Sequence, residues 1–184
     1  NLADILDRYN NGTLAGGPPS CDANSGVTAL FKRAVSNDFD GDGKSDPANW
    51  RAEDGRWLIA GSSDGVIDEQ WGEKADVPAA ADYDGDGQTD LAVWRPREGS
   101  WHILNSSNGA VTKQFWGTKG DVPVPGDYDG DGKADLAVWR PDNGTWYVWR
   151  SSDGGFTVEA WGQPGDTPVA ADYDGDGRTD FAVW

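Results

Sequence analysis

The sequence predicts an all-β fold, a β-propeller-type array of four-stranded antiparallel units, and three observations carry that expectation. One acidic nonapeptide recurs four times, tryptophan recurs in register with it, and short β-prone runs fill the intervals. The nonapeptides are DFDGDGKSD (38–46), DYDGDGQTD (82–90), DYDGDGKAD (127–135) and DYDGDGRTD (172–180), at spacings of 44, 45 and 45 residues. Trp50, Trp94, Trp139 and Trp184 form one column, Trp57, Trp101 and Trp146 a second, and Trp71, Trp116 and Trp161 a third; Trp149 alone stands outside. The one-residue slip lies between Trp57 and Trp71, within a hairpin.

Each repeat reads as four strands, illustrated by residues 122–127, 134–140, 145–151 and 156–161, with no room for a helix. Val, Trp, Tyr, Phe and Thr dominate these runs, and Gly, Asn, Asp or Pro punctuates them. The turns SSDG (62–65), SSNG (106–109) and SSDG (151–154) separate the third and fourth strands, and turns at Gly55, Gly99 and Gly144 separate the second and third. Repeats are expected near 29–73, 74–118, 119–163 and 164–184, the last partial. Residues 1–28 differ in kind. Leu2, Ile5, Leu6 and Tyr9 share one helical face before Asn10-Asn11-Gly12, and GGPPS (16–20) reads as a linker; the alternative is that this segment supplies strands to complete a unit.

A net charge of −17 without a basic cluster argues against nucleic acid and for cations. Cys21 is the single cysteine, which rules out an intrachain disulfide; it reads as a bystander in a Gly/Pro/Ser-rich segment, with an intermolecular link as the alternative. No run is long enough to span a membrane as a helix. The start at Asn1, without Met, suits a processed or excised polypeptide.

The nonapeptides point to calcium. Carboxylates occupy positions 1, 3, 5 and 9, and glycines positions 4 and 6. The candidate ligands are Asp38, Asp40, Asp42 and Asp46; Asp82, Asp84, Asp86 and Asp90; Asp127, Asp129, Asp131 and Asp135; and Asp172, Asp174, Asp176 and Asp180. Position 7, occupied by Lys44, Gln88, Lys133 and Arg178, would add its backbone carbonyl. Alternate side chains converge on a tightly curled loop, glycine permits the turn, and this many hard oxygens favour Ca2+ over Mg2+. An EF-hand would need Glu at position 12, where Asn49, Val93, Val138 and Val183 stand. Sixteen of the 32 acidic residues are loop ligands, so four calcium ions would bring the formal charge from −17 to −9.

On the D-x-D-x-D-G-x-x-D loop, matched in all four copies, residues 29–184 resemble the FG-GAP repeat and the related VCBS repeat. That resemblance implies an integrin α-type calcium-dependent β-propeller, commonly of about seven blades, found in adhesion proteins, fungal lectins and accessory domains of secreted enzymes. The first repeat departs after its loop: Pro47, Ala48 and Asn49 replace Leu/Phe, Ala and Val, which puts its second strand in doubt.

Catalysis needs one particular constellation, whereas nearly every polar residue here recurs. Asp76, Asp121 and Asp166, each two residues before Pro, therefore read as turn-closing groups. His102, the only histidine, has no Ser, Cys or metal-ligand partner by spacing. Most tryptophans read as core, Trp149 as the candidate for a surface role, and Arg95 and Arg140 as partners of acidic groups on the opposite strand face from Trp94 and Trp139. Asn11, Asn105 and Asn143 begin N-glycosylation sequons that are also ordinary turn sequences.

The expected function is a non-catalytic extracellular calcium-binding adhesion or structural module. Its partners would be a protein or glycan at the cell surface; the fourth repeat stops after its second strand, so the chain is either a fragment of a longer array, or completed by its own first residues, or, if complete, joined to further copies in an oligomer or filament through unpaired edge strands. A calcium-dependent lectin and an accessory domain of a secreted hydrolase are the alternatives.

Overall fold

The computed structural model describes residues 37–184; the expected helix at 2–9, the linker at 16–20, Cys21, Asn11 and the start of the first repeat lie outside them. Three antiparallel sheets follow one another along the chain. The first contains β1 (Ala48–Arg51), β2 (Arg56–Gly61) and β3 (Gly65–Gln70). The second contains β4 (Val77–Pro78), β5 (Leu91–Arg95), β6 (Ser100–Leu104) and β7 (Val111–Phe115), and the third β8 (Val122–Pro123), β9 (Leu136–Arg140), β10 (Thr145–Trp149) and β11 (Phe156–Ala160). In a fourth unit Thr167 and Trp184 exchange backbone hydrogen bonds, and Val169 N–H donates to Ala182. No helix occurs among the described residues, so none there is long and apolar enough to cross a membrane, and the sheets close no ring.

Two expectations need correction. The second strand of the first repeat does form, as β1, with Ala48 opposite Ile59. Pro47 lacks an N–H but keeps its carbonyl, which accepts from Ala60 at 2.9 Å, so the ladder begins despite the substitution. The first strands are shorter than the six residues read at 122–127. After β8 the pairing continues only through Val124 N–H to Ala137 and a bridge between Gly126 and Asp135, because Pro123 and Pro125 cannot donate.

The second strands β5 and β9 are buried on both faces, whereas β1 is mostly exposed, as are the fourth strands β3, β7 and β11. Successive sheets share their cores: Val93 packs with Phe39, Trp57 and Ile59, and Val138 with Ala79, Trp94 and Trp101. Phe181 continues the series by stacking on Tyr128, ring centroids 5.0 Å apart, and packing on Trp146.

Tryptophan also links the sheets by hydrogen bonds. The third-column carbonyls collect indole donors from their own repeat: Trp71 O from Trp57, and Trp116 O from Trp94 and Trp101 at 3.2 and 3.0 Å. The third-column indoles then donate forward, Trp71 to His102 O and Trp116 to Tyr147 O, both at 3.1 Å. Five of the eleven tryptophans are buried core (Trp57, Trp94, Trp101, Trp139 and Trp146), and Trp50, Trp71, Trp116 and Trp149 are half-buried. Trp161 and Trp184 are exceptions, 56% and 91% exposed.

The aspartate column closes the turns that join consecutive repeats. Asp76 Oδ2 accepts Glu73 N–H, and its carboxylate receives a bidentate pair of bonds, both 2.9 Å, from Arg95. Asp121 repeats this with Thr118 and Arg140, and Asp166 repeats the turn with Gln163. Arg95 and Arg140, which follow the buried Trp94 and Trp139, therefore each neutralise a buried carboxylate.

The tight turns between second and third strands depend on close backbone approach. Gly99 has φ +64°, and a Cβ there would overlap the carbonyl oxygen of Gly117. Gly99→Ala should therefore destabilise the fold by about 1–3 kcal/mol in urea unfolding, combining left-handed strain with the clash. A loss within about 0.5 kcal/mol, typical of an uninvolved surface site, would show that the approach is not constrained.

Candidate metal centres

The nonapeptides precede the second strand of their units, and each is pinned at its base. Position 9 donates its N–H to the residue before position 1: Asp46 to Asn37, Asp90 to Ala81, Asp135 to Gly126 and Asp180 to Ala171, at 2.7–2.9 Å. The glycines at positions 4 and 6 take positive φ, +81° and +88° at Gly85 and Gly87, which lets the intervening backbone curl with its amides inward.

Those amides are gathered by the carboxylates. Asp82 Oδ1 accepts from Gly85 N–H at 2.6 Å and Oδ2 from Gly87 at 2.9 Å; Asp38, Asp127 and Asp172 do the same in their loops. Position 3 accepts the N–H of position 5, and position 5 that of position 7, so Lys44, Gln88, Lys133 and Arg178 donate to Asp42, Asp86, Asp131 and Asp176. Position 9 returns to accept position 2, as Asp90 Oδ2 does from Tyr83 at 2.8 Å.

Three carboxylates per loop bring one oxygen each to within 4.8 Å of one another: Asp38, Asp40 and Asp42; Asp82, Asp84 and Asp86; Asp127, Asp129 and Asp135; and Asp172, Asp174 and Asp180. Oxygens that far apart can share an ion at about 2.4 Å from each, within the calcium range. The set contains only hard oxygen donors, so the residues fit a calcium ion. Asp46, Asp90, Asp131 and Asp176 fall outside these triads and are held beside them by the hydrogen bonds above.

A second layer was not read from the sequence. The SSDG and SSNG hairpins reach back over the loops of their own repeats. Ser62, Ser106 and Ser151 donate their N–H to Oδ1 of Asp46, Asp90 and Asp135 at 2.7–2.8 Å, and their hydroxyls to Asp42, Asp86 and Asp131. The next serine holds position 3: Ser63 N–H on Asp40, and the Ser107 and Ser152 hydroxyls on Asp84 and Asp129. The signal was present, since each first serine follows position 9 by 16 residues, but Ser-Ser before Asp-Gly also satisfies ordinary turn chemistry.

Electrostatics differ among the loops. Burial raises Asp82, Asp90 and Asp135 above the usual carboxylate value, against the pull of the amides and serines that hydrogen-bond them. Asp40 is lowered, chiefly by the Ser63 amide, and Asp42 by the Lys44 ammonium 2.7 Å away.

His102 corrects another expectation: Ser100 Oγ lies 3.0 Å from its Nε2. The two are i and i+2 on β6 and so share a face. Ser100 is fully buried, and the nearby carboxylate, Glu98, contacts the serine and not the ring, so the pair lacks the access and the oriented imidazole that a nucleophile needs.

The family model for the FG-GAP-like repeat matches twice, over residues 82–138 and 127–183, together more than half of the chain. Among solved structures, the crystal structure of the V. cholerae biofilm matrix protein Bap1 is similar to 80% of this chain at 24% identity, with a TM-score of 0.37. The match covers 26% of that protein's chain, well under two thirds of it. A search of curated proteins finds no match.

In ion-free protein, raised carboxylates keep their protons to higher pH in the fold than in the unfolded chain. Their penalty is absent below the ordinary carboxylate value and grows as pH rises through the raised one. Carboxyl-carbon NMR titration in EDTA should place Asp82, Asp90 and Asp135 above the usual aspartate value and Asp40 and Asp42 below it. Indistinguishable titrations for the two groups would contradict this electrostatic account.

Proposed function

The chain belongs to the FG-GAP-like repeat family, and on that premise we propose that it is a non-catalytic extracellular adhesion or structural module whose repeats form propeller-type blades, each stabilised by one calcium ion. The observation that carries this reading is the convergence of three carboxylate oxygens in every loop, on a backbone already pinned at its base and gathered by its own amides. In each loop the ion would be held by the carboxylates at positions 1, 3, 5 and 9 and the carbonyl at position 7. It would neutralise like charges that otherwise repel.

The role follows from recurrence. Four equivalent sites placed at the same joint of each unit serve the units themselves, whereas catalysis needs one unlike the rest. Weak sites suffice outside cells, where calcium is millimolar: at ten times the dissociation constant each site adds about 1.4 kcal/mol to stability. Self-association is part of the reading. The fourth strands β3, β7 and β11 are sheet edges, and they expose Val66, Val111, Phe115, Phe156 and Val158.

Calorimetric titration should find four calcium ions per chain, and EDTA should lower the melting temperature by on the order of 10 °C. An unchanged melting temperature would refute the stabilising role.

One observation favours a second reading, glycan binding. Trp149 and Arg150 break the repeat where Leu104-Asn105 and Ala60-Gly61 stand, and they line a cleft of about 340 Å³ with Tyr83, Asn105, Thr112 and Gln114. An aromatic face beside amides and a hydroxyl suits a sugar ring, and the pairing of Arg150 with Asp153 favours a neutral one. A glycan array should then show binding that Trp149→Ala abolishes without loss of folding; binding that survives this change would place it elsewhere.

A further inference from the structure

The four loops are physically joined to one another. The N–H of position 8 in each later loop donates to the backbone carbonyl of position 1 in the loop before: Thr89 to Asp38 at 2.6 Å, Ala134 to Asp82 at 2.7 Å and Thr179 to Asp127 at 2.6 Å. That N–H belongs to the same peptide unit as the position-7 carbonyl. Peptides are planar, no cis bond occurs among the described residues, and in a trans unit N–H and C=O point in opposite directions. The peptide that faces the previous loop with its N–H therefore turns its carbonyl, the backbone ligand of the calcium reading, away from that loop.

A second contact accompanies the first. The position-7 side chain lies across the position-4 glycine of the preceding loop: a Cβ on Gly41 would come within 2.9 Å of Gln88, one on Gly85 within 3.0 Å of Lys133, and one on Gly130 within 2.8 Å of Arg178. Gly175, in the last loop, has nothing within 4 Å of that position. Both contacts run in one direction, from each loop to its predecessor.

We propose that adjacent calcium sites are positively coupled through this shared peptide, so that filling one loop raises the affinity of its immediate neighbours; the inference rests on the calcium reading above. An ion held by the position-7 carbonyl fixes the peptide plane and polarises it, which strengthens the N–H bond to the preceding loop. That bond holds position 1 of the preceding loop, whose side chain gathers the amides of its own positions 4 and 6. Linkage makes the effect reciprocal, so an occupied predecessor favours the follower equally. Contact is confined to neighbours, so coupling should follow the order of the chain as in other repeat arrays. Loss of negative charge on filling one loop acts in the opposite sense, and salt screens it over about 8 Å at 0.15 M while leaving the peptide contact intact.

The test is a calcium titration of the full chain in 0.15 M salt, following the amide resonances of Gly41, Gly85, Gly130 and Gly175 as reporters of the separate loops. Disabling the second loop with Asp84→Asn and Asp86→Asn should weaken calcium at the first and third loops by about five-fold or more. Disabling the fourth with Asp174→Asn and Asp176→Asn should weaken the third and leave the first unchanged. Gln88→Ala changes no charge and removes no proposed ligand atom, and should reduce coupling between the first and second loops only; it keeps the test open if a double variant fails to fold. Unchanged affinities in intact loops would overturn the coupling while leaving the calcium reading standing, and equal weakening of near and distant loops would replace it with general destabilisation. No response to calcium at any reporter would overturn the calcium reading and the coupling with it.

Discussion

The structure depends on the concentration of negative charge at one joint of each repeat. Four carboxylates in nine residues would repel strongly, yet each is turned inward by backbone amides and serines. That inward turn sets the path of the chain from the first strand to the second. In β5 and β9 the second strand then carries the buried tryptophan and the arginine that neutralises the turn between repeats. A single electrostatic problem, solved at the loop, thus positions both the core and the inter-repeat connection.

Packing and polarity are combined in the same side chains. The third-column tryptophan accepts indole donors at its carbonyl and donates its own indole to the next sheet, so an apolar contact between units also has a fixed register. Repeats of only about 45 residues bury too little surface to stand alone, so each needs its neighbour. Sharing cores such as Val93 with Trp57 meets that need.

Much of this was legible in the sequence because the determinants are local and repeated. The loop carboxylates, the glycines, the hairpin turns and the tryptophan columns all recur at fixed spacing, and the structure places the strands accordingly. What escaped was what depends on contacts distant in sequence. Ser62, Ser106 and Ser151 satisfied turn chemistry so well that their grip on the loops went unread. Ser100 and His102 share a strand face only once the strand exists. Trp161 occupies the same column as Trp116 and yet is exposed, because burial there is conferred by a following repeat and not by the residue's own position. Pro47 looked disruptive, but the ladder used its carbonyl and not the missing N–H.

The most direct test is a crystal grown in calcium and examined by anomalous diffraction. The account predicts four peaks, one per loop, each about 2.4 Å from carboxylate oxygens of that loop and from the carbonyl at position 7. Loops holding only water, or ions bound away from these oxygens, would contradict it.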